Sequence, residues 1–357
     1  MTIHFISYSK STSSGGVQTT IRGLQRFLLA KGVPCQELYV YDYPDNGNLL
    51  PELVGSTSVR WGNTPYIGQR KLHLLMAAAT GYQQIQRTVS DGDTLVLFNP
   101  FYLICLPRKI LKRTRVVLVQ TNRFDYFLGG IQRWAFQARK QYIDIMTVYT
   151  DADKATLQQL VPDAPFPIEV IPRACRLDRA NSTLNRSTEL IYIGRIHEQH
   201  KNLSGLFQVM DTLGAPYRLS IYGGGSKEEL ARLQRQIDLR DNVRYCGESQ
   251  DVAPALRAHG VFLMTSHFEG FGNTLIEARS QGLPIVAYDT FEALHWIVRE
   301  GQNGHVIPPY DHRAFADAIL AITADDATYQ RYSEAALALA DDTDQERILA
   351  RWHRLLV

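Results

Sequence analysis

The sequence predicts an α/β chain built from two Rossmann-like domains. Three observations carry that expectation. Short apolar runs bounded by turn residues alternate with stretches of helical period along the whole chain. The alternation runs through once, breaks near Pro172-Arg173-Ala174-Cys175-Arg176, and runs through again. A length of 357 residues is also more than one ordinary domain needs and suits two. Strands that alternate with helices pair in parallel and form doubly wound sheets. The expected partition is residues 1–172, residues 173–335, and a tail over 336–357.

The first half opens with a strand over Ile3–Tyr8, followed by the serine-rich Ser11–Ser14 and by Gly15-Gly16. A helix comes next, with Val17, Ile21, Leu24 and Leu28 at helical spacing and Gly32 as its stop. Further strands are expected over Glu37–Tyr41, Thr94–Phe98, Val116–Gln120, Ile145–Tyr149 and Ile168–Ile171. Helices are expected over Leu72–Arg87 and Ala152–Leu160. In the second half the strands read Leu190–Ile193, Leu219–Tyr222, Val243–Cys246, Val261–Thr265, Ile285–Tyr288 and His305–Ile307. The helices between them read Leu203–Leu213, Lys227–Ile237, Asp251–Ala258, Thr274–Gln281 and Ala293–Glu300. The tail, Ser333–Ala340 and Gln345–Leu356, is helical and amphipathic.

Composition excludes several classes. The chain is 45% hydrophobic and 21% charged, without a low-complexity tract. Cys35, Cys105, Cys175 and Cys246 are scattered and form no C-x-x-C pair, so neither a zinc site nor a disulfide framework is expected, and a reduced cytoplasm suits them. Met1–Ile6 leads straight into a strand, so no leader is expected, and no apolar run approaches the roughly eighteen residues of a membrane span. The net charge of +2 hides an asymmetry: 18 Lys and Arg against 12 Asp and Glu over residues 1–172, and 20 against 24 thereafter. Arg108, Lys109, Lys112, Arg113 and Arg115 cluster, with Arg133, Arg139 and Lys140 downstream. This patch is either a solvated helix end or a contact for the anionic inner face of the cytoplasmic membrane. No nucleic-acid-reading motif accompanies it.

One corner points to chemistry. The apolar run Val261–Thr265 leads into Ser266-His267-Phe268-Glu269-Gly270-Phe271-Gly272-Asn273-Thr274-Leu275-Ile276-Glu277. Glu269 and Glu277 are thus separated by seven residues across a strand–loop–helix turn. Ligands in open α/β sheets bind beyond the carboxyl ends of strands. Two glycines let the loop backbone approach a ligand, and the helix start favours an anion. Carboxylates suit the hydroxyls of a sugar or a ribose, so the corner offers contacts for both halves of a nucleotide sugar.

The E-x7-E string with its internal G-F-G, continued by Gly282-Leu283-Pro284-Ile285-Val286-Ala287-Tyr288-Asp289, resembles the signature of retaining GT-B glycosyltransferases of family GT4, the type that builds bacterial envelope glycans. Gly194-Arg195-Ile196-His197-Glu198-Gln199-His200-Lys201-Asn202 is similar to that family's G-R…K-N segment. The resemblance implies a GT-B fold with a cleft between the domains and a last helix crossing back to the N-terminal domain. It implies that Arg195 and Lys201 hold the donor diphosphate, Glu269 the sugar hydroxyls and Glu277 the ribose, with Phe271, Gly272, Asn273 and Thr274 lining the sugar pocket. Gly15 and Gly16 resemble the loop that faces the donor phosphates, Gly223 lies in a loop that admits a nucleotide, and Glu248 and Ser249 occupy the position that frames the base. The implied reaction moves a hexose, with retention, from a nucleotide sugar, expected to be UDP-linked, to a hydroxyl of a glycan or lipid-linked glycan such as lipopolysaccharide.

Two departures stand out. Many family members have a histidine where this chain has Gln120 and Asn122, whose amides can bond a sugar but cannot act as a base. Thr290-Phe291-Glu292-Ala293 replaces a glycine-rich turn. Asp91-Gly92-Asp93 matches a metal-binding D-x-D only in letters, since it precedes a strand and reads as a turn. Metal-independent catalysis without a cofactor is therefore expected. An epimerase of GT-B architecture and a non-catalytic GT-B subunit are the competing readings.

Overall fold

The computed structural model describes residues 1–13, 15–41, 50–66, 68–249 and 251–357. The chain divides into two compact units, Met1–Arg173 with Glu346–Val357, and Ala174–Gln345.

The first unit holds seven parallel strands, β1 (Ile3–Ser9), β2 (Cys35–Tyr41), β3 (Thr57–Arg60), β4 (Thr94–Leu97), β5 (Arg115–Val119), β6 (Ile145–Val148) and β7 (Ile168–Val170), in the order β3-β2-β1-β4-β5-β6-β7. β1 is buried at every position and β4 likewise, as strands covered by helices on both faces must be. β3 is absent from the sequence expectation. It is a four-residue edge strand without a fully buried residue, so it lacks the apolar run by which its neighbours are recognised. The single helix expected over 72–87 is two, Arg70–Thr80 and Tyr82–Thr88, because Gly81 is packed against the Trp61 ring and leaves no space for a side chain. The helix Asp151–Leu160 starts at Thr150, whose hydroxyl accepts from the Asp153 N–H at 3.1 Å. The last helix, Gln345–Leu356, belongs to this unit. Arg351 donates to the Val170 carbonyl, and the His353 ring meets Phe27 edge-on at 6.4 Å.

The second unit holds six parallel strands, β8 (Glu189–Ile193), β9 (Arg218–Tyr222), β10 (Val243–Tyr245), β11 (Val261–Met264), β12 (Ile285–Tyr288) and β13 (Gly304–Ile307), in the order β10-β9-β8-β11-β12-β13. Every one of them is anticipated in the sequence. The helix expected over 293–300 is a single turn, Leu294–Ile297. The tail partitions later than expected. Residues 336–345 stay with the second unit, because Ala336, Leu337 and Ala340 bury the face of Asp326–Ala340 that packs on helix Asn273–Ser280. Both sheets are doubly wound, and their strand orders make each unit Rossmann-like.

The four cysteines are free. Among the described residues, no helix is long and apolar enough to cross a membrane.

Candidate active site

In a doubly wound sheet the chain turns opposite ways on either side of one strand pair, and the crevice beyond the carboxyl ends of that pair is where ligands bind. In the second unit the pair is β8 and β11. The loops leaving these strands carry the two motifs singled out in the sequence, and the fold joins them. The Lys201 ammonium donates to Glu269 Oε1, and the Ser266 hydroxyl donates to the same oxygen at 2.8 Å. The two charged side chains are 14% and 11% exposed, so the pair is shielded yet open to a ligand. His200 Nε2 lies 3.8 Å from the other Glu269 oxygen, and its ring stacks on Phe268 with centroids 4.3 Å apart. Burial first, and Lys201 beside it second, hold His200 below the ordinary histidine range, so Lys201 rather than His200 is the cation here.

The backbone beneath this pair is stitched together. Asn202 Nδ2 donates to the Thr265 carbonyl at 3.0 Å, and the Thr265 hydroxyl returns a bond to the Asn202 carbonyl at 2.8 Å. Asn202 adopts φ +50° and caps helix Leu203–Leu213 through the Gly205 N–H. Arg195, on the same loop, is exposed.

Gly272 starts the helix Asn273–Ser280 with φ +89°, where a side chain would be strained and would press on Phe291 at 3.1 Å. Asn273 and Thr274 follow it, half-buried, at the positive end of the helix. Phe271, expected to line the pocket, is instead buried and packs on the Trp296 ring at 6.0 Å. It supports the loop from behind. Glu277 is nearly buried and is gripped by Arg176, with Nε donating at 2.6 Å and Nη2 at 3.4 Å. Burial raises the Glu277 pKa, and Arg176 opposes that shift.

Beyond β9 the backbone of Gly223, at φ +144°, runs so close to the Gly194 carbonyl that any Cβ would collide with it. Tyr245 fixes this turn by donating to the Gly223 carbonyl at 2.8 Å. Glu248 is exposed against Gly224, while the Ser249 hydroxyl is engaged by the Asp251 carbonyl at 2.6 Å.

In the first unit the corresponding pair is β1 and β4. Gly15 and Gly16 open helix Gly16–Ala30 after β1, and Arg173 donates to the Gly16 carbonyl at 2.7 Å. The preceding loop is anchored by a buried carboxylate. Glu37 accepts from the Ser11 N–H at 2.8 Å, from the Ser11 hydroxyl at 2.6 Å and from Ser7 at 3.2 Å. Burial, opposed by these bonds, pushes the Glu37 pKa up to about 7. A raised carboxyl pKa adds stability that is fully present below the ordinary value and is lost as pH rises through the folded one. Stability should therefore fall between about pH 4.5 and about pH 7, and Glu37→Gln should flatten that slope. Urea melts of both proteins across the range would show it, and parallel slopes would remove Glu37 as the source.

Gln120 does not have the acceptor-facing geometry expected of it. It is buried, its amide nitrogen donates to Asp153 at 2.8 Å and to the Asn122 carbonyl at 3.2 Å, and its oxygen accepts from the Tyr149 N–H at 3.3 Å. Asn122 is half-buried and accepts from the Arg123 N–H at 2.9 Å. The letters D-G-D are a turn: Asp93 accepts from the Thr2 and Ser90 N–H groups at 2.7 and 2.8 Å, and Asp91 pairs with Arg113 at 3.0 Å.

Residues 187–325 match the family described as "Glycosyl transferases group 1". Over 342 residues the chain is 26% identical to a phosphatidyl-myo-inositol mannosyltransferase of Mycobacterium leprae, covering 90% of this chain and 87% of that one. The motif loops after β8 and β11 both lie inside the stretch that this family of glycosyltransferases matches. Over 138 residues it is 31% identical to the poly(glycerol-phosphate) alpha-glucosyltransferase of Bacillus subtilis, covering 38% of this chain and 20% of that longer protein. The pneumococcal O-GlcNAc transferase GtfA, solved with UDP and GlcNAc, superposes with a TM-score of 0.75 at 13% identity, over 100% of this chain and 98% of that one. With the GT-B fold that this superposition shows, Arg195, Lys201, Glu269, Gly272, Asn273, Thr274 and Glu277 lie in the loops and the helix start that follow one strand pair. The sequence reading missed Arg176, Ser266 and His200, which hold the two glutamates. Arg176 lies 101 positions from Glu277, and no local pattern connects them.

Proposed function

We propose that this glycosyltransferase moves a hexose from a UDP-linked donor to a hydroxyl of a cell-envelope glycan, with retention and without a metal ion. The Lys201–Glu269 pair at the carboxyl end of β11 carries the reading. It sets a cation for the leaving diphosphate beside a carboxylate for the sugar hydroxyls. As the bond from the anomeric carbon to the phosphate oxygen breaks, negative charge grows on the diphosphate. Arg195 and Lys201 stabilise that charge more in the transition state than before it. The acceptor oxygen bonds to the anomeric carbon, and its proton passes to the leaving phosphate. Attack on the same face, guided by that phosphate, would retain the anomeric configuration. UDP is favoured by the GtfA complex. A phosphate-bearing acceptor is favoured by the names of both relatives, which act on poly(glycerol phosphate) and on phosphatidyl-myo-inositol. With Gln120 committed to Asp153 and Tyr149, the acceptor contact on that loop would fall to Asn122.

A screen of nucleotide sugars for slow hydrolysis in the absence of acceptor tests the reading. Release of UDP from one UDP-hexose is expected. Interconversion of the sugar without release would indicate an epimerase, and UDP binding without turnover of any donor would indicate a non-catalytic subunit. Activity should also survive excess EDTA, because Arg195 and Lys201 would take the place of a metal at the diphosphate and the D-G-D carboxylates are committed to a turn. A loss on chelation that magnesium or manganese restores would overturn metal independence.

A further inference from the structure

We propose that the Tyr310 ring, backed by His267, is a platform on which a sugar ring of the acceptor glycan stacks. It rests on the transfer reaction proposed above and gives that reaction a subsite for its second substrate. The observation is a large side chain where the backbone calls for a small one. Pro308–Asp311 is a turn closed by the Asp311 N–H on the Pro308 carbonyl at 3.2 Å. Tyr310 is its third residue, at φ +69°. A positive φ at that place of a turn suits glycine or asparagine, and a bulky side chain there is strained. Burial does not offset the strain, because Tyr310 is 60% exposed. Among the described residues the other non-glycine at positive φ is Asn202, and asparagine tolerates that conformation. Strain of this kind persists where the side chain has a task that a smaller residue could not perform.

The ring is held in place. The Tyr310 hydroxyl bonds His267 Nδ1 at 3.0 Å, and the Tyr310 ring lies 6.2 Å from that of Tyr288. His267 stands two residues before Glu269, and its N–H donates to the His200 carbonyl at 2.9 Å, so the platform is joined to the loops of the Lys201–Glu269 pair. Its position fits the acceptor. The sheet runs β8-β11-β12-β13. In the proposed reaction the loop after β8 takes the diphosphate and the loop after β11 the sugar. The loops after β12 and β13 are therefore next in line, past the sugar and away from the phosphates. Tyr310 follows β13. Asp289 follows β12, with its N–H on the Ile307 carbonyl at 2.8 Å, and its exposed carboxylate pairs with His295 at 2.9 Å. A pyranose has an apolar C–H face and a rim of hydroxyls. An exposed phenol ring suits the face, and a carboxylate with imidazoles suits the rim. A nucleobase would also stack on Tyr310, but the proposed reaction puts the nucleotide on the other side of β11.

Saturation-transfer NMR on the full chain with UDP present tests the proposal, with maltose, cellobiose, lactose and melibiose as the probes. At least one disaccharide should give signals on its ring C–H protons. Tyr310→Gly should weaken those signals several-fold, while Tyr310→Phe, which keeps the ring and loses only the hydroxyl bond to His267, should retain most of them. Tyr310→Gly removes the strain, so it should melt no lower than the parent. Release of UDP from the nucleotide-sugar donor without acceptor should be unchanged in Tyr310→Gly, which separates this subsite from the donor site. If the parent releases UDP from no donor yet its disaccharide signals still depend on Tyr310, the transfer reaction fails and the platform stands as a sugar site. Several results would overturn the platform. They are binding of none of the four probes by the parent, equal signals in the parent and Tyr310→Gly, and a lower melting point in Tyr310→Gly, which would make Tyr310 a structural residue. Loss of donor hydrolysis in step with the disaccharide signals would do the same, since the ring would then serve the donor sugar.

Discussion

Lys201→Ala is expected to lower kcat by a factor of about a hundred or more, the usual consequence of removing one electrostatic donor from a developing anion. The loss should exceed that of a lone surface cation for a structural reason. Lys201 holds Glu269, whose side chain is only 11% exposed, and deleting the ammonium leaves that carboxylate with the Ser266 hydroxyl and with His200 at 3.8 Å. Breaking a buried pair from one side costs about 3–5 kcal/mol at full burial, and the residual exposure here places the expected cost toward the lower end. Two effects are therefore superposed, and a double variant separates them. Adding Glu269→Gln to Lys201→Ala should recover much of the stability, because no charge is then left unpaired. It should not recover kcat, because the diphosphate still lacks its cation. Arg195→Ala makes the complementary case. Arg195 is exposed, so its loss should reduce kcat comparably with little change in the melting point. Near-normal kcat in both single variants would remove these cations from the reaction.

The strands of the second unit were legible because buried parallel strands are continuous apolar runs, and Leu190–Ile193 or Val261–Met264 resembles little else. β3 was not legible, since an edge strand such as Thr57–Arg60 needs neither alternation nor an apolar run. The break at Gly81 was hidden for a related reason. A lone glycine is tolerated inside a helical pattern, and the Trp61 ring that requires this one is 20 positions upstream. In the site, residue types and spacings were visible but pairings were not. Lys201 and Glu269 each suggested a contact with the donor, whereas their attachment to one another across 68 positions is a property of the β8–β11 pairing. Phe271 shows the opposite error. An aromatic between two glycines suggests a pocket wall, yet its ring turns inward to Trp296. At Gln120 the departure from histidine was plain, but its commitment to Asp153 depends on the neighbouring strand and helix.

Arg176→Ala is expected to make donor binding more strongly pH-dependent, weakening it as pH falls. Glu277 is nearly buried, desolvation raises its pKa, and Arg176 is what opposes that rise. Without the guanidinium the carboxyl pKa moves further up, so a growing share of the molecules carries a neutral Glu277 as pH falls. A neutral acid is a poorer acceptor for a ribose hydroxyl, so the donor KM of the variant should climb more steeply than that of the parent as pH falls. Stability should move the other way. A carboxyl whose folded pKa exceeds its unfolded one favours the native state at low pH and loses that contribution as pH rises through the folded value. Arg176→Ala should thus be most destabilised at the alkaline end, by about 1–3 kcal/mol for an unpaired buried acceptor, reduced because Arg176 itself is 48% exposed. It should recover on mild acidification while its donor affinity worsens. General damage to the fold would move both quantities together. Arg176→Lys restores the charge without the two-pronged contact, so it should return most of the pH profile but only part of the affinity. Calorimetry with UDP as a function of pH, alongside urea melts of the same proteins, would decide it. Parallel pH profiles for the parent and Arg176→Ala would mean that Arg176 does not control the state of Glu277.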